Sequence, residues 1–275
     1  MDTGAELSDA TMAAPRVAAV SDFWTLFAAH SGLVGAWRLT AVCRAARVGV
    51  KEWLQTLPGL LVCGGCGAGA GRRGVSRAVW QLRLDTMRWE CVRGATLARE
   101  RYNHACCVVR KDPGSSTGTL VVLGGYDGHD MGHSQGYTAS VEALALATTT
   151  GGLRFTTATA TTCAQLSCGA INVPCALALL DEEEEGREEG EKEEEDSMDS
   201  GHVLLLGGAL AHSYSREVLK VCVASGACTP LPRLCRARMG CAAARLADGR
   251  VLCVGGRNDQ EEVRRPYLLF ILSEL

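Results

Sequence analysis

Four short segments of this chain repeat one pattern, in which a run of apolar residues ends in a pair of glycines. They are residues 59–65 (GLLVCGG), 119–125 (TLVVLGG), 202–208 (HVLLLGG) and 250–256 (RVLCVGG). The glycine pairs lie 60, 83 and 48 residues apart. Repeats of about 40–50 residues built from short strands are typical of β-propeller blades. The pattern therefore predicts a mainly β protein assembled from repeated units.

Each apolar run is too short for a core helix and suits a strand that is buried on both faces. The glycines allow the backbone to turn with positive φ. Residues 80–84 then alternate between apolar and polar, as in a half-buried strand. Trp89 opens another strand seven positions after Leu82, and Cys228 stands seven positions after Val221 in the third copy. The repeat therefore contains at least three strands.

A segment that contains arginine follows these strands. Residues 97–109 (LARERYNHACCVV) align with residues 234–246 (LCRARMGCAAARL), which places Arg101 on Arg238, whereas the second copy has Asn172 there. An apolar strand ending in Gly-Gly, a strand with a bulky apolar residue, a strand begun by Trp and a strand opened by Arg, in that order, resemble the kelch repeat. In that family the four strands form one propeller blade.

The kelch resemblance covers residues 59–256 and implies a partial propeller of about three blades with a fourth begun. Residues 257–275 match no repeat strand convincingly, so we expect a truncated blade or a tail there. Propellers close with about four to eight blades. We therefore expect either a part of a longer protein, which we favour, or an open array completed by self-association.

Two copies lack the aromatic residue of the third strand. Phe155 is the nearest candidate in the second copy, and Cys228 replaces Trp in the third. Large aromatic side chains bury the most apolar area. We therefore expect the second and third blades to be less stable than the first.

In families with this repeat, loops at one face of the propeller bind partner proteins. The resemblance places ten residues of this chain there: Arg72, Arg73, Arg101, Tyr126, Asp127, His129, Arg238, Arg257, Asn258 and Asp259. Arginine and tyrosine are enriched in binding hot spots. Arg101 and Arg238 fall at the rim of this face, and the alternative for these two is that they only hydrogen-bond neighbouring backbone.

A helical module precedes the repeats, and we expect residues 1–20 before it to be disordered. Residues 21–22 can cap a helix through residues 23–30, and after a Ser-Gly break residues 33–47 resume the helical spacing, which continues until Pro58.

Residues 21–58 resemble a divergent F-box, in an apolar first helix, a Leu-x-x-Val-Cys-Arg segment and a terminal Trp, although the usual Leu-Pro opening is missing. The resemblance implies binding to the adaptor subunit of a cullin-type ubiquitin ligase through Phe23, Leu26, Trp37, Leu39, Val42 and Trp53. The alternative is a helical cap that covers the edge of the first blade.

Charge is concentrated in one segment. Residues 181–196 contain twelve acidic and two basic residues, a local charge of −10 that leaves +7 on the rest of a chain whose total is −3. Like charges without an apolar face predict a disordered loop over residues 181–200, inserted within a blade or at its edge rather than between domains. A solvated insertion is the simpler interpretation, and binding of a basic partner is the alternative.

Signals for chemistry are weak. A G-x-G-x-x-G match at residues 69–74 precedes a strand rather than the helix that a dinucleotide site needs. Cys63 and Cys66 have the spacing of a zinc or redox pair without a second suitable pair nearby. His129, Asp130 and His133 could contact a metal, but they fall in a loop. We therefore expect no catalytic residues, no cofactor and no metal, and a kelch-type oxidase is the least favoured function.

The remaining composition concerns compartment and partners. The first residues show no secretory signal, and no apolar run approaches the 18–20 or so residues that span a membrane. Fourteen cysteines without such a signal favour a reduced cytoplasmic or nuclear setting, with most of them serving as small buried apolar residues. We expect a substrate-recruiting ligase adaptor without nucleic-acid or membrane partners; the alternative is a kelch scaffold with no ligase link.

Overall fold

The fold was analysed in a computed structural model. It describes residues 21–57, 59–67, 74–110, 115–126, 136–149, 152–156, 159–179, 201–210, 213–258 and 267–269. The expected disordered N-terminus at residues 1–20 and acidic loop at residues 181–200 lie outside these residues. So does most of the predicted tail at residues 257–275.

Two helices come first, α1 Ser21–Leu39 and α2 Arg44–Thr56. Two helical segments make up α1, because Gly32 interrupts it with φ of 67° and ψ of 169°. The predicted break near this glycine is confirmed. Beyond α2, Leu57 is extended, as expected for a residue that precedes a proline.

The predicted continuation of the second helix over residues 33–47 is wrong. A turn separates the two helices, and backbone bonds from Ala41 to Arg38 and from Val42 to Leu39 tighten the end of α1. Cys43 then caps α2 by accepting a hydrogen bond from the Ala46 amide at 3.3 Å. Cysteine is an uncommon capping residue, so no capping signal marks this boundary in a stretch whose apolar spacing is helical on both sides.

The described chain is mainly β, as predicted. The strands are β1 Leu60–Cys63, β2 Ala78–Arg83, β3 Arg88–Thr96, β4 Ala105–Val109, β5 Thr117–Leu123, β6 Ser140–Thr149, β7 Gly152–Phe155, β8 Thr161–Gln165, β9 Cys175–Ala178, β10 His202–Leu206, β11 Ala209–Leu210, β12 Ser213–Tyr214, β13 Val218–Cys222, β14 Cys228–Leu231, β15 Met239–Arg245, β16 Val251–Arg257 and β17 Tyr267–Leu269.

The larger sheets run in the orders β1-β2-β3, β4-β5-β6-β7, β9-β10-β13-β14 and β15-β16-β17, and β8 also pairs with β6. Strands β11 and β12 form a short hairpin. The pairs joining β4 to β6, β9 to β14 and β15 to β17 are antiparallel. Each glycine-pair run lies in a strand, namely β1, β5, β10 or β16, as the sequence predicts.

The glycine pairs make the same bonds in successive copies. All eight glycines have φ between 60° and 104°, so the predicted positive φ is confirmed. The amide of the second glycine donates to a carbonyl on a distant segment, which holds two pieces of chain together. In three copies these bonds run from Gly65 to Arg101, from Gly125 to Ile171 and from Gly208 to Arg238, at 2.8, 2.8 and 2.9 Å.

This bond corrects the alignment of the second copy. The residue that corresponds to Arg101 and Arg238 is Ile171, and not Asn172 as the sequence suggested. Ile171 is 3% exposed and belongs to the core cluster that β5, β6 and β10 line. An apolar side chain thus fills the place where the other two copies bury an arginine.

The sheets are out of phase with the sequence repeat. The strand that follows Arg101, β4, pairs with the next glycine-pair strand, β5, and the strand after Arg238, β15, pairs with β16. The expectation that the Arg-opened strand completes the blade of its own repeat is therefore wrong. Each of these sheets combines one strand from one repeat with strands from the next.

Burial of the glycine-pair strands varies along the chain. The apolar runs of β5 and β10 are buried, as predicted. In β1 and β16 the expectation fails, since Leu60 is 52% exposed and Val254 is 43% exposed. The aromatic residues of the first copy are also open to solvent, with Trp80 40% and Trp89 48% exposed, which removes the basis for expecting that copy to be the most stable.

The chain divides into two compact units. The first contains residues 1–61, 80–91 and 150–152, and the second contains residues 62–79, 92–149 and 153–275. In the first unit Ala28, Ala36, Val50 and Leu54 from the helices share one core with Leu84.

In the second unit, an equivalent buried leucine recurs in successive repeats. Leu97, Leu166 and Leu234 are buried at corresponding places, each with its amide bonded to a carbonyl at 2.8 Å.

Candidate functional site: an exposed helix patch, the strand ends and a thiol–imidazole cluster

The residues that the F-box resemblance predicts for partner binding fall into two groups. Trp37, Leu39 and Trp53 pack against the core of the first unit, so they stabilise the helices. Phe23, Leu26 and Val42 are exposed, with exposed fractions of 40%, 63% and 60%. Only the second group is available to a partner.

An aromatic cluster lies at the start of α1. The ring of Phe23 contacts the rings of Trp24 and Phe27 at centroid distances of 5.4 and 6.0 Å. Phe27 is 48% exposed and was not among the predicted residues. Positions 23, 26, 27 and 30 share one side of a helix by their spacing, so periodicity alone could have indicated it. We call Phe23, Leu26 and Phe27 the α1 patch.

At the ends of the glycine-pair strands the structure describes half of the predicted partner face. Arg72, Arg73, Asp127, His129 and Asp259 lie outside the described residues. Among the others, Arg257 is exposed at the end of β16, and Asn258 beside it is half-buried. These two residues are therefore the accessible part of the predicted face.

Tyr126, also predicted for this face, is 9% exposed. Its ring packs against Tyr102 at 5.1 Å and against Tyr137 at 6.0 Å between centroids. Gly136 permits this packing, because a Cβ there would lie 2.4 Å from the Tyr126 ring. Burial, and then the neighbouring Tyr126, raises the pKa of the Tyr102 hydroxyl, so this phenol is neutral at physiological pH.

Arg101 and Arg238 are not at a rim, which corrects their predicted placement. They are 0% and 1% exposed. Each donates from Nη1 to the carbonyl of the first glycine of the next pair, Arg101 to Gly124 at 2.8 Å and Arg238 to Gly255 at 3.0 Å. The alternative held open from the sequence, bonding to neighbouring backbone, is the one that the structure shows.

A buried ion pair completes the Arg101 site. Its Nη2 donates to the hydroxyl of Ser140 at 2.7 Å and to the carboxylate of Glu142, which is 0% exposed. The second oxygen of Glu142 accepts from the Ala98 amide at 2.8 Å. Burial lowers the pKa of Arg101, and Glu142 partly offsets that effect. Because neither charge reaches solvent, this pair is structural rather than a contact site.

A cluster of thiols and an imidazole lies nearby. Three side chains bring one ligand atom each to within 4.8 Å of one another. They are Cys63 at the end of β1, His104 just before β4 and Cys106 on β4. The Cys63 sulfur is 3.4 Å from Nε2 of His104. Gly64 makes this approach possible, because a Cβ there would lie 2.7 Å from Cε1 of the His104 ring. Sequence reasoning considered Cys63 with Cys66 instead, and Cys66 is exposed.

Protonation in this cluster follows from its geometry. Burial, with a further contribution from Arg101, lowers the pKa of His104 to about 4, so the ring is neutral at pH 7. A hydrogen bond between the two thiols raises the pKa of Cys63, whose burial acts in the same direction, and lowers the pKa of Cys106. The Cys63 thiol therefore keeps its proton, whereas the Cys106 thiol loses its proton more easily.

The remaining cysteines fit the expected role of small apolar residues in part. All fourteen are free thiols; Cys63 and Cys253 are buried, whereas Cys107 and Cys222 are half-buried. The loop histidine pair, His129 and His133, lies outside the described residues.

Comparison with family models matches none of them to this chain, and comparison with curated proteins finds no significant match. Neither helix in the described part has the length and apolar character to cross a membrane.

Proposed function

We propose that this chain is a protein-binding adaptor of a cullin-type ubiquitin ligase. In this proposal the helices bind the ligase adaptor subunit as an F-box does, and the β repeats, arranged as a partial kelch-type propeller, bind a target protein. No catalysis and no cofactor are required. The protein would act in the cytoplasm or the nucleus.

The observation that carries the proposal is the α1 patch. Phe23, Leu26 and Phe27 expose 40%, 63% and 48% of their surfaces on consecutive turns of one helix. Burying one such side chain fully contributes about 1.5–3 kcal/mol. Grouped exposed apolar residues of this kind are typical of protein interaction sites.

The β repeats support the second half of the proposal. Three copies share the glycine-pair hydrogen bonds. Tyr126, which follows β5, is bridged to Tyr102 and Tyr137, and Arg257 ends β16. Rigid strands that hold loops in place are a frequent basis for binding sites.

Charge reversal by Arg257→Glu should weaken target binding without lowering the melting temperature. Arg88→Glu, at another exposed arginine, is the matched control.

A second function, a kelch scaffold without a ligase link, is favoured by one observation. Trp37 and Trp53 pack with Leu82 on β2 and with Leu84 in the turn that leads to β3, and all four residues belong to the first unit. Helices packed in this way serve as a cap on the start of the repeats. A cap needs no partner of its own.

Binding of the full chain to the purified ligase adaptor subunit separates the two functions. We expect wild-type protein to bind, and Leu26→Asp with Phe27→Asp to abolish binding with an unchanged melting temperature. Val48→Asp is the matched control, because Val48 is also exposed, at 43%, but lies on α2. It should bind like wild type.

No binding by wild-type protein, under conditions in which an established F-box protein binds, would decide against the ligase function and leave the scaffold as the proposed function. Equal loss of binding in the Val48→Asp control would show a general effect of added charge, and it would decide against the α1 patch as the docking site.

A further inference from the structure

The spacing of the three ligand atoms in the thiol–imidazole cluster matches a metal site. In tetrahedral zinc sites the Zn–S distance is about 2.3 Å and the Zn–N distance about 2.0–2.1 Å, which puts a sulfur and a nitrogen ligand about 3.6 Å apart. The Cys63 sulfur and Nε2 of His104 are 3.4 Å apart. All three atoms, including the Cys106 sulfur, lie within 4.8 Å of one another. Side-chain rotations alone could therefore bring them around one ion.

The repeats show that the fold does not require these residue types. The glycine-pair bonds align each copy with the next, so the residues at the corresponding three places are known. In the next copy they are Leu123, Pro174 and Ala176, and in the one after it they are Leu206, Cys241 and Ala243. Of these three sets of corresponding residues, the set Cys63, His104 and Cys106 is therefore the one in which all three side chains can bind a metal.

The imidazole of His104 is poorly satisfied by the protein. Its Nδ1 is buried and has no hydrogen-bond partner among the described residues, while Nε2 faces a thiol, which is a weak donor. Because the ring is neutral, Nε2 beside the Cys63 sulfur can give its lone pair to a cation while Nδ1 keeps the proton.

We propose that Cys63, His104 and Cys106 bind one Zn²⁺ ion, with a fourth coordination position left for water or an external ligand. Thiolate and imidazole together select zinc over the harder divalent cations. Binding releases the two thiol protons to solvent, and the two thiolates balance the charge of the ion. Nothing is oxidised or reduced.

The site would join two parts of the second unit. Cys63 ends β1, whereas Cys106 belongs to β4, and these strands lie in different sheets. The ion would therefore crosslink the first sheet to the second across 43 residues of sequence. Cys106 is exposed, so the ion and its fourth ligand have access from solvent. This inference is independent of the ligase proposal.

Cobalt is the probe for the test. Full-length protein, purified under reducing conditions and stripped with a chelator, is titrated with Co²⁺ and then with Zn²⁺. We expect one equivalent of Co²⁺ to give a thiolate-to-metal charge-transfer band and the intense d–d bands of tetrahedral cobalt. One equivalent of Zn²⁺ should remove both. Absence of these bands, or octahedral spectra alone, would overturn the proposal.

Substitution of the proposed ligands by the corresponding residues of the next repeat tests whether the metal binds at this cluster. Cys63→Leu with Cys106→Ala introduces the residues that stand at the corresponding places there, and the charge-transfer band should be lost. His104→Gln should lower Zn²⁺ affinity at least tenfold. Cys91→Ala and Cys235→Ala, at two exposed thiols, are controls that should bind like wild type.

Two further variants keep the test decisive. If the double variant does not fold, Cys106→Ser at the exposed ligand should still weaken Zn²⁺ binding at least tenfold.

The interacting thiols Cys175 and Cys241 form a competing pair elsewhere in the unit. A band that persists in Cys106→Ser and disappears in Cys241→Ala would place the metal at that pair and overturn the proposal.

Discussion

At the scale of single residues, one position in each repeat needs a left-handed backbone. Asn103, Val173 and Gly240 correspond to one another and have φ of 56°, 50° and 64°. Each links to the next by a hydrogen bond, from the Val173 amide to Asn103 at 2.7 Å and from the Gly240 amide to Val173 at 3.0 Å. Asparagine and glycine tolerate this conformation, whereas a β-branched residue is strained in it.

Val173→Asn should therefore stabilise the protein. Left-handed backbone costs an ordinary L-residue about 1–2 kcal/mol, and asparagine reduces that strain. We expect the free energy of unfolding in urea to rise by about 0.5–1 kcal/mol. The matched control is Asn103→Val, which should lower it by a similar amount. Destabilisation by Val173→Asn would show that packing of the valine side chain outweighs its backbone strain.

The buried arginines show where residue-level reasoning from sequence fails. The sequence correctly aligns Arg101 with Arg238, but the kelch resemblance places both at the rim of a binding face, whereas both are buried. Their partners, Gly124, Gly255 and Glu142, lie 17–41 residues away along the chain. No local pattern carries that information. The alignment of Ile171 with the arginines was missed for the same reason, since a shared hydrogen bond defines it and residue type does not.

At the scale of structural elements, the turn after each glycine-pair strand depends on what approaches it. A Cβ on Gly207 would lie 2.3 Å from the carbonyl oxygen of Arg238. A Cβ on Gly255, the corresponding residue of the fourth copy, would have no described atom within 4 Å apart from its chain neighbours. Both residues have positive φ, 60° and 72°. The two positions thus share backbone conformation and differ in crowding.

Alanine substitutions can separate these two effects. Gly255→Ala should lower the free energy of unfolding by about 1–2 kcal/mol, from conformational strain alone. Gly207→Ala should lower it by about 3 kcal/mol or more, because the carbonyl must also move and weaken the bond to Gly208. Chemical denaturation of both variants measures the difference. Equal losses would mean that the Arg238 segment yields to the new methyl group without penalty.

Elements with strong local signals were predictable, and those set by distant partners were not. The four glycine-pair strands were indicated by apolar runs that end in glycine, and the strand containing Phe155 by its place in the repeat. Strand β8 was not, because Thr161–Gln165 has little apolar character and pairs with β6 beside a bulge. The end of α1 was missed because apolar spacing continues through the turn before Cys43.

At the scale of the whole molecule, the strands on either side of the acidic segment pair directly, with Ala178 of β9 opposite Val203 of β10. The chain therefore leaves β9 and enters β10 at the end of β10 opposite to the glycine pair. An insertion between two paired strands leaves the sheet itself complete. Residues 181–200 lie outside the described residues, so the solvated loop stays a prediction.

Replacing residues 181–200 with a five-residue Gly-Ser linker should leave the fold intact. Each halving of a loop reduces the entropy cost of closing it by about 0.6 kcal/mol, so we expect a gain of about 1 kcal/mol in unfolding free energy. A Gly-Ser segment of the original length is the control that removes charge without shortening. Destabilisation by more than about 2 kcal/mol in either protein would indicate that the acidic residues contact the folded chain.

The thiol–imidazole cluster also shows what depends on the whole molecule. The sequence pointed to Cys63 as a ligand candidate but paired it with its neighbour Cys66, because ligand spacing was read along the chain. The fold instead brings His104 and Cys106 to Cys63 from another sheet. The α1 patch was largely predictable, since helical spacing groups Phe23 with Leu26. Sites formed by one element can be found from sequence more readily than sites formed by two.

The offset between sheets and repeats determines how the chain responds to being cut. A nick between β4 and β5 leaves each fragment with part of one sheet, so each exposes an edge that the other completes. A nick between β3 and β4 instead separates sheets that are each whole. The fragments from a nick between β4 and β5 should therefore reassociate, because the strand from one repeat restores its pairing with the sheet of the next repeat.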